Sequence, residues 1–264
     1  QDALEPGMQD ECIRQLTGLT NTLLCGDIPD EVRPWLCGAK LVALPKPDGT
    51  LRPIAVGDVL RRLAGKVAAT TLTEEIRHHL EPIQLGVGSK NGCERIVHVA
   101  RQWLCRNRND DNKAMVTLDL ANAFNTVDRS AVMAGVRRIC PEIAPWIDLC
   151  YSENSFLLLS DHKLLSGRGV QQGNPLGPAV FALSIHDDIV EARRVCELRH
   201  PGEFEWIAFF LDDGTAAGTA RAVKTFTHVL EQGLAGKGLK MNRDKCEVIP
   251  TAGEQSRISD SDFP

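Results

Sequence analysis

Two apolar runs that each end in acid constrain this chain most. Met115–Leu118 runs into Asp119, and Trp206–Leu211 runs into Asp212-Asp213. Both read as buried strands. A carboxylate at the end of a buried strand costs several kcal/mol unless it is paired or binds a cation. Two neighbouring strands that end this way bring their acids within a few ångströms of one another. Such a cluster suits two Mg²⁺ ions roughly 3.5–4 Å apart, the separation used for in-line phosphoryl transfer. The chain also carries an internal control, because Asp-Asp occurs three times. Asp110-Asp111 falls in the polar loop 107–112, and Asp187-Asp188 falls in a helix, where both acids are expected to face water. Only Asp212-Asp213 closes an apolar run. Taken singly, each acid also reads as an ordinary cap of a hairpin or a helix.

The flanking segments alternate between helix and strand. Met8, Cys12, Leu16, Leu19 and Leu23 recur at helical spacing, so residues 1–38 are expected to form a helical extension that closes at Pro29 and Pro34. Ala39–Leu44 and Leu51–Val56 flank Lys46-Pro47-Asp48-Gly49-Thr50, a turn by composition, and form a β-hairpin with Lys46 and Arg52 beside its tip. Asp58 caps a helix running to about Leu80, and a second helix is expected over 92–106. Further helices are expected after Asp128, over 142–152, from Pro178 to about Leu198, and over 219–235. Ser155–Leu159 and Lys163–Ser166 read as a second hairpin. A basic loop, Gly236–Lys245, leads to a last strand at Cys246–Ile249, and the polar tail 251–264 is expected to be disordered.

Charge and cysteine usage narrow the function classes. The net charge is −5, yet Arg33–Arg108 holds 13 Lys/Arg against 6 Asp/Glu, a basic stretch within an acidic whole. A chain so divided can offer a basic face to phosphates. Nine cysteines at wide spacing, with no C-x-x-C, argue for a reducing intracellular compartment and against a disulfide framework or structural zinc. Nuclear and cytoplasmic placement are not distinguished, and neither is oligomeric state. No apolar run approaches 18 residues, so no membrane association is expected. A P-loop, H-E-x-x-H and G-x-S-x-G are all missing.

The order of segments resembles the reverse transcriptase (RNA-directed DNA polymerase) domain, most like that of non-LTR retrotransposons. Asp119-Leu-Ala-Asn-Ala-Phe124-Asn-Thr-Val-Asp128 resembles the family's first palm motif, and Gly169-Val-Gln-Gln172-Gly173-Asn-Pro-Leu176-Gly-Pro178 the second. Phe210-Leu-Asp212-Asp213 resembles the Y-x-D-D box, Gly238–Lys245 the fourth motif, and Leu44–Ile54 the fingers hairpin. Phe210 stands where the family has Tyr, Gly177 where it has Ser, and Gly214 is less apolar than the hairpin after the box leads one to expect.

The resemblance implies an α+β right-hand polymerase with a ferredoxin-like palm sheet. Residues 39–90 with 127–171 would form the fingers, and 91–126 with 172–250 the palm. Only about 14 residues follow Pro250, so a thumb is expected to be absent and activity of this segment alone is in question. Asp119, Asp212, Asp213 and the Leu120 carbonyl would hold two Mg²⁺ ions, with Mn²⁺ as the alternative. Lys46 and Arg52 would grip the triphosphate of a dNTP, and Gln172 and Gly173 would sit beside nucleotide and template. Lys245 would give a proton to pyrophosphate, and Phe124 would exclude a ribose 2′-hydroxyl. The implied activity is nucleotidyl transfer from dNTPs onto the primer of a primed RNA or DNA template. Two rivals remain at this stage, an RNA-templated RNA polymerase and a catalytically inactive, domesticated nucleic-acid-binding fragment.

Overall fold

A computed structural model describes residues 6–46, 49 and 51–252. Most of the turn at 46–50 and of the tail at 251–264 therefore lies outside the described residues. The chain opens with α1 (Pro6–Leu24) and the short α2 (Arg33–Leu36). The hairpin β1 (Ala39–Pro45) and β2 (Leu51–Gly57) follows, paired from Ala39↔Gly57 to Pro45↔Leu51. Next come α3 (Val59–Leu80) and α4 (Gly92–Asn107). The Asp58 carboxylate accepts the Leu60 N–H at 2.8 Å, the expected N-cap of α3. After β3 (Lys113–Leu118), three helices run in succession: α5 (Ala123–Thr126), α6 (Arg129–Ile139) and α7 (Ala144–Tyr151). The hairpin β4 (Ser155–Leu159) and β5 (His162–Ser166) precedes the long α8 (Gly177–Arg199). The chain ends in the hairpin β6 (Phe204–Phe210) and β7 (Asp213–Thr219), then α9 (Ala220–Ala235) and β8 (Glu247–Pro250).

These strands form two four-stranded sheets. The first has the order β2-β1-β4-β5, with β1 and β4 parallel at Ala39↔Leu157 and Lys40↔Leu158. The second has the order β6-β7-β3-β8 and is antiparallel throughout. Numbered along the chain, its strands alternate with helices as β-α-β-β-α-β, and the first strand is central beside the third. That is the expected ferredoxin-like arrangement. Periodicity reads as follows: β3 alternates little, because Ala114, Met115, Val116 and Leu118 are all buried. One large core runs beneath this sheet, around Trp146, Phe181, Ile185, Phe209 and Phe226. A smaller one, Trp103 with Met115 and Ala217, holds α4 to the opposite face.

Two buried arginines, from α3 and α6, hold the segments that flank the first sheet. Arg61 on α3 is 3% exposed and donates to the Cys37 carbonyl at 2.9 Å and to Gln171 Oε1 at 2.6 Å. Arg129 on α6 donates to the Gly169 carbonyl at 3.1 Å, the Glu153 carbonyl at 3.0 Å and Ser166 Oγ at 3.0 Å. Both stand over the Tyr151 ring, with centroid distances of 5.9 and 5.3 Å. The loop between β5 and α8 is thereby fixed although it lacks regular structure.

Two local expectations change. Asp188, expected to face water, is half-buried and pairs with Lys237 at 2.6 Å. Thr251, expected to begin a mobile tail, is buried and hydrogen-bonds the carbonyls of Asp110 and Lys113. Among the described residues no helix is long and apolar enough to cross a membrane.

Candidate active site

The acids meet at one end of the second sheet. β3 pairs with β7 up to Leu118↔Gly214, so Asp119, one residue further, lies opposite Asp213. The neighbour of β3 is thus the return strand β7, and β6 lies one strand beyond. Phe210↔Asp213 closes the β6–β7 hairpin over a two-residue turn, Leu211-Asp212. Leu211 takes φ 58° there, a position that favours glycine and costs a bulky residue about 1–2 kcal/mol. The turn places the Asp212 carboxylate at the very tip. Gly214 is small for a packing reason: a Cβ there would come within 2.5 Å of the Phe209 ring across the hairpin.

Asn242 holds Asp119. Its N–H donates to the Asp119 carbonyl at 2.8 Å, and its Nδ2 donates to Asp119 Oδ2 at 2.9 Å. Behind it, the Asp119 N–H points at Cys246 Sγ at 3.4 Å. Leu120, the proposed source of a ligating carbonyl, is buried and bridges to Met241. The loop 240–246 therefore packs along the acid-bearing end of β3.

The electrostatics are those of negative charge only partly offset. Burial raises the Asp212 carboxyl above its ordinary range, and Asp213 and Asp119 push it further the same way. Arg52, on β2 of the other sheet, opposes that rise. Burial and the charge of Asp119 likewise raise Asp213, and Lys245 opposes them. The first sheet's cation and the fourth motif's lysine thus lie within electrostatic reach of the acids. Desolvated carboxylates that repel one another are a hard-oxygen donor set, which suits Mg²⁺ or Mn²⁺. Among the described residues, no three His, Cys, Asp or Glu side chains close into a ready-made metal cage. The acids stand as neighbours that a divalent cation would draw together.

The remaining sequence-predicted residues lie on other elements and loops. Phe124 on α5 is half-buried, and its ring stacks on Phe181 at 4.5 Å between centroids, 22° from parallel. Lys46 lies half-buried at the end of β1, where its carbonyl accepts the Gly49 N–H at 3.0 Å. Gln172 lines a groove with Leu41, Pro53, Asn125, Leu157 and Arg168, apart from the three acids. Gly173 meets the backbone of β2. A Cβ there would run into the Ala55 carbonyl oxygen, so this glycine lets β2 pass against the loop. Its neighbour Gln171 is buried among Arg61, Ser155 and the Cys37 carbonyl and serves the scaffold.

Two residues at the site escape sequence reasoning. Asn242 stands inside a motif, but nothing in its spacing announces a bond to Asp119. Gln84 is fully buried and touches the hairpin tip through hydrogen bonds to Leu211. Its only signal in sequence is a polar residue within Ile83–Val87.

A family model for "Reverse transcriptase (RNA-dependent DNA polymerase)" matches residues 44–255. The chain is 25% identical over 261 residues to the retrotransposable element SLACS 132 kDa protein of Trypanosoma brucei gambiense, covering 95% of this chain and 20% of that protein. It is 24% identical over 245 residues to the Pol polyprotein of the type-2 retrotransposable element R2DM of Drosophila melanogaster, covering 88% and 23%. The chain therefore spans about a fifth of the length of these curated relatives. Among solved structures it resembles apo telomerase from Candida tropicalis, with TM-score 0.61, 15% identity and coverage of 85% of this chain and 52% of that one. Telomerase from Candida albicans, solved with a fragment of telomeric RNA, gives TM-score 0.62 at 12% identity, covering 88% and 44%. The structural likeness establishes the fold.

Proposed function

Because the chain belongs to the reverse transcriptase (RNA-dependent DNA polymerase) family, we propose that it catalyses template-directed addition of dNTPs to a primer 3′-hydroxyl, with RNA as template. The observation that carries this reading is the meeting of Asp119 with the Asp212-Asp213 tip, flanked by Arg52 and Lys245. Asp119, Asp212, Asp213 and the Leu120 carbonyl are the groups that would hold divalent metal. Bound there, the metal supplies Lewis-acid activation of the 3′-hydroxyl and charge neutralisation on the triphosphate.

The chain's own residues do the rest. Arg52 and Lys46 bring cationic donors from the β1–β2 hairpin to the triphosphate, Arg52 bidentately. Phe124, backed by Phe181, presents a rigid apolar surface at the sugar, which excludes a 2′-hydroxyl and selects dNTP over NTP. Gln172 faces the template side of the nucleotide from its groove. Lys245 hands a proton to the departing pyrophosphate. In this reading 39–90 with 127–171 work as fingers and 91–126 with 172–250 as palm.

Primer extension on a primed RNA template, by the longest natural chain that contains these residues, tests the proposal. Asp212→Ala should abolish Mg²⁺-dependent dNTP incorporation while leaving template binding intact. Several kcal/mol of metal stabilisation, at about 1.4 kcal/mol per tenfold, corresponds to a loss of roughly a thousandfold or more. Retained extension would rule out the assignment. Template binding without incorporation by the unaltered chain would instead identify a nucleic-acid-binding relic.

A further inference from the structure

The Asp212 carboxylate owes its place to the backbone of the turn that carries it. That turn is under strain, because Leu211 is a bulky side chain in the left-handed region. Strain of this kind persists only where the surroundings over-determine the conformation. Gln84 supplies that constraint. The Leu211 N–H donates to Gln84 Oε1 at 2.7 Å, and Gln84 Nε2 donates to the Leu211 carbonyl at 3.0 Å. The Gly86 N–H also donates to Oε1, at 3.0 Å. Two N–H groups converging on one side-chain atom fix which end of the amide is oxygen.

Gln84 is itself held from two sides. The segment around it runs along the end of β6, with the Leu85 N–H donating to the Phe209 carbonyl at 2.8 Å and the Phe209 N–H to the Ile83 carbonyl at 2.7 Å. Further out, Glu81 accepts from Arg77 at 2.8 Å, Ser89 at 2.6 Å and Arg95 at 3.2 Å. Those bonds tie the segment between α3 and α4 back on itself.

We propose that Gln84 is a positioning residue, which sets the Asp212 carboxylate by gripping both backbone groups of Leu211. The inference rests on the polymerase reading above. An amide is what the turn demands, since Leu211 presents one donor and one acceptor and Gln84 answers both. A glutamate of the same length could accept but not donate, and would add charge beside three acids. An alanine would leave both Leu211 backbone groups without their partner and free the turn to leave its strained conformation.

Mn²⁺ titration calorimetry and amide hydrogen exchange on the 264-residue chain test this, with Asp212→Asn as reference. Gln84→Ala should speed exchange at Leu211 and weaken Mn²⁺ binding by roughly 10-fold or more, the effect expected when a ligand loses its support. Gln84→Glu keeps two of the three hydrogen bonds, so it should give intermediate exchange and remain folded if the alanine variant does not. Unchanged Leu211 exchange in both variants overturns the proposal. So does unchanged Mn²⁺ affinity in both while Asp212→Asn abolishes binding, and in that case the polymerase reading stands. If Asp212→Asn binds Mn²⁺ as the unaltered chain does, it is the polymerase reading that fails.

Discussion

Phe124→Val offers a quantitative test of the proposed sugar gate. In the native chain the Phe124 ring rests on Phe181, with centroids 4.5 Å apart and planes 22° from parallel, and Phe181 is fully buried. In the proposed reading, where Phe124 is the sugar gate, Phe181 gives that gate a fixed floor. Forcing an extra hydroxyl against a well-packed wall costs about 1–3 kcal/mol. At about 1.4 kcal/mol per tenfold, that is roughly 5- to 150-fold in discrimination. Phe124→Val removes the ring and should erase a factor of that size from the ratio of dNTP to NTP incorporation. It should also forfeit about 0.5–1.5 kcal/mol of ring–ring contact, seen as a lowered melting temperature. The assay is single-nucleotide extension with kcat/KM measured for a matched dNTP and NTP pair. Phe181→Leu removes the floor but keeps the gate, so it should give a smaller loss in the same direction. Unchanged discrimination in Phe124→Val would refute the steric argument, whatever happened to the overall rate.

Other outcomes follow from packing and from burial. Gly173→Ala should destabilise the chain by about 1–3 kcal/mol, because the new methyl meets the Ala55 carbonyl; an unchanged denaturation midpoint would contradict that placement. His186, buried on α8 against His79 of α3 with Arg138 and Asp187 nearby, is held down to about 4, first by burial and then by the charge of His79. A depressed folded value means that the unfolded chain takes the proton first. Stability is therefore full above the ordinary histidine range and drains as pH falls toward 4, by up to about 3 kcal/mol. Urea midpoints at several pH values, compared with those of His186→Gln, isolate this contribution, and identical acid limbs would exclude it.

Much of the fold can be read from the chain because its signals are local. Proline, glycine and the Asp58 cap mark helix ends, and the apolar runs mark the strands. The acids at the end of the second sheet are legible because their setting, charge at the end of apolar chain, is itself the anomaly. Contacts made at a distance are not. The pairing of β3 with β7 rather than β6 depends on the whole ferredoxin-like topology. Nothing in the spacing around Gly173 announces that β2 passes against it. Gln84 lies 127 residues from Leu211 in sequence, and a lone glutamine among apolar residues carries no sign of its partner. Asp188 looks like its exposed neighbour Asp187 until Lys237 arrives from beyond α9.

The central claim is that Asp119 and Asp212 share divalent metal at the end of the second sheet. Anomalous X-ray scattering from crystals grown with Mn²⁺, a primed template and a matched dNTP tests it most directly. The account predicts manganese peaks ligated by carboxylate oxygens of both Asp119 and Asp212. Manganese bound elsewhere, or peaks that involve neither acid, would contradict it.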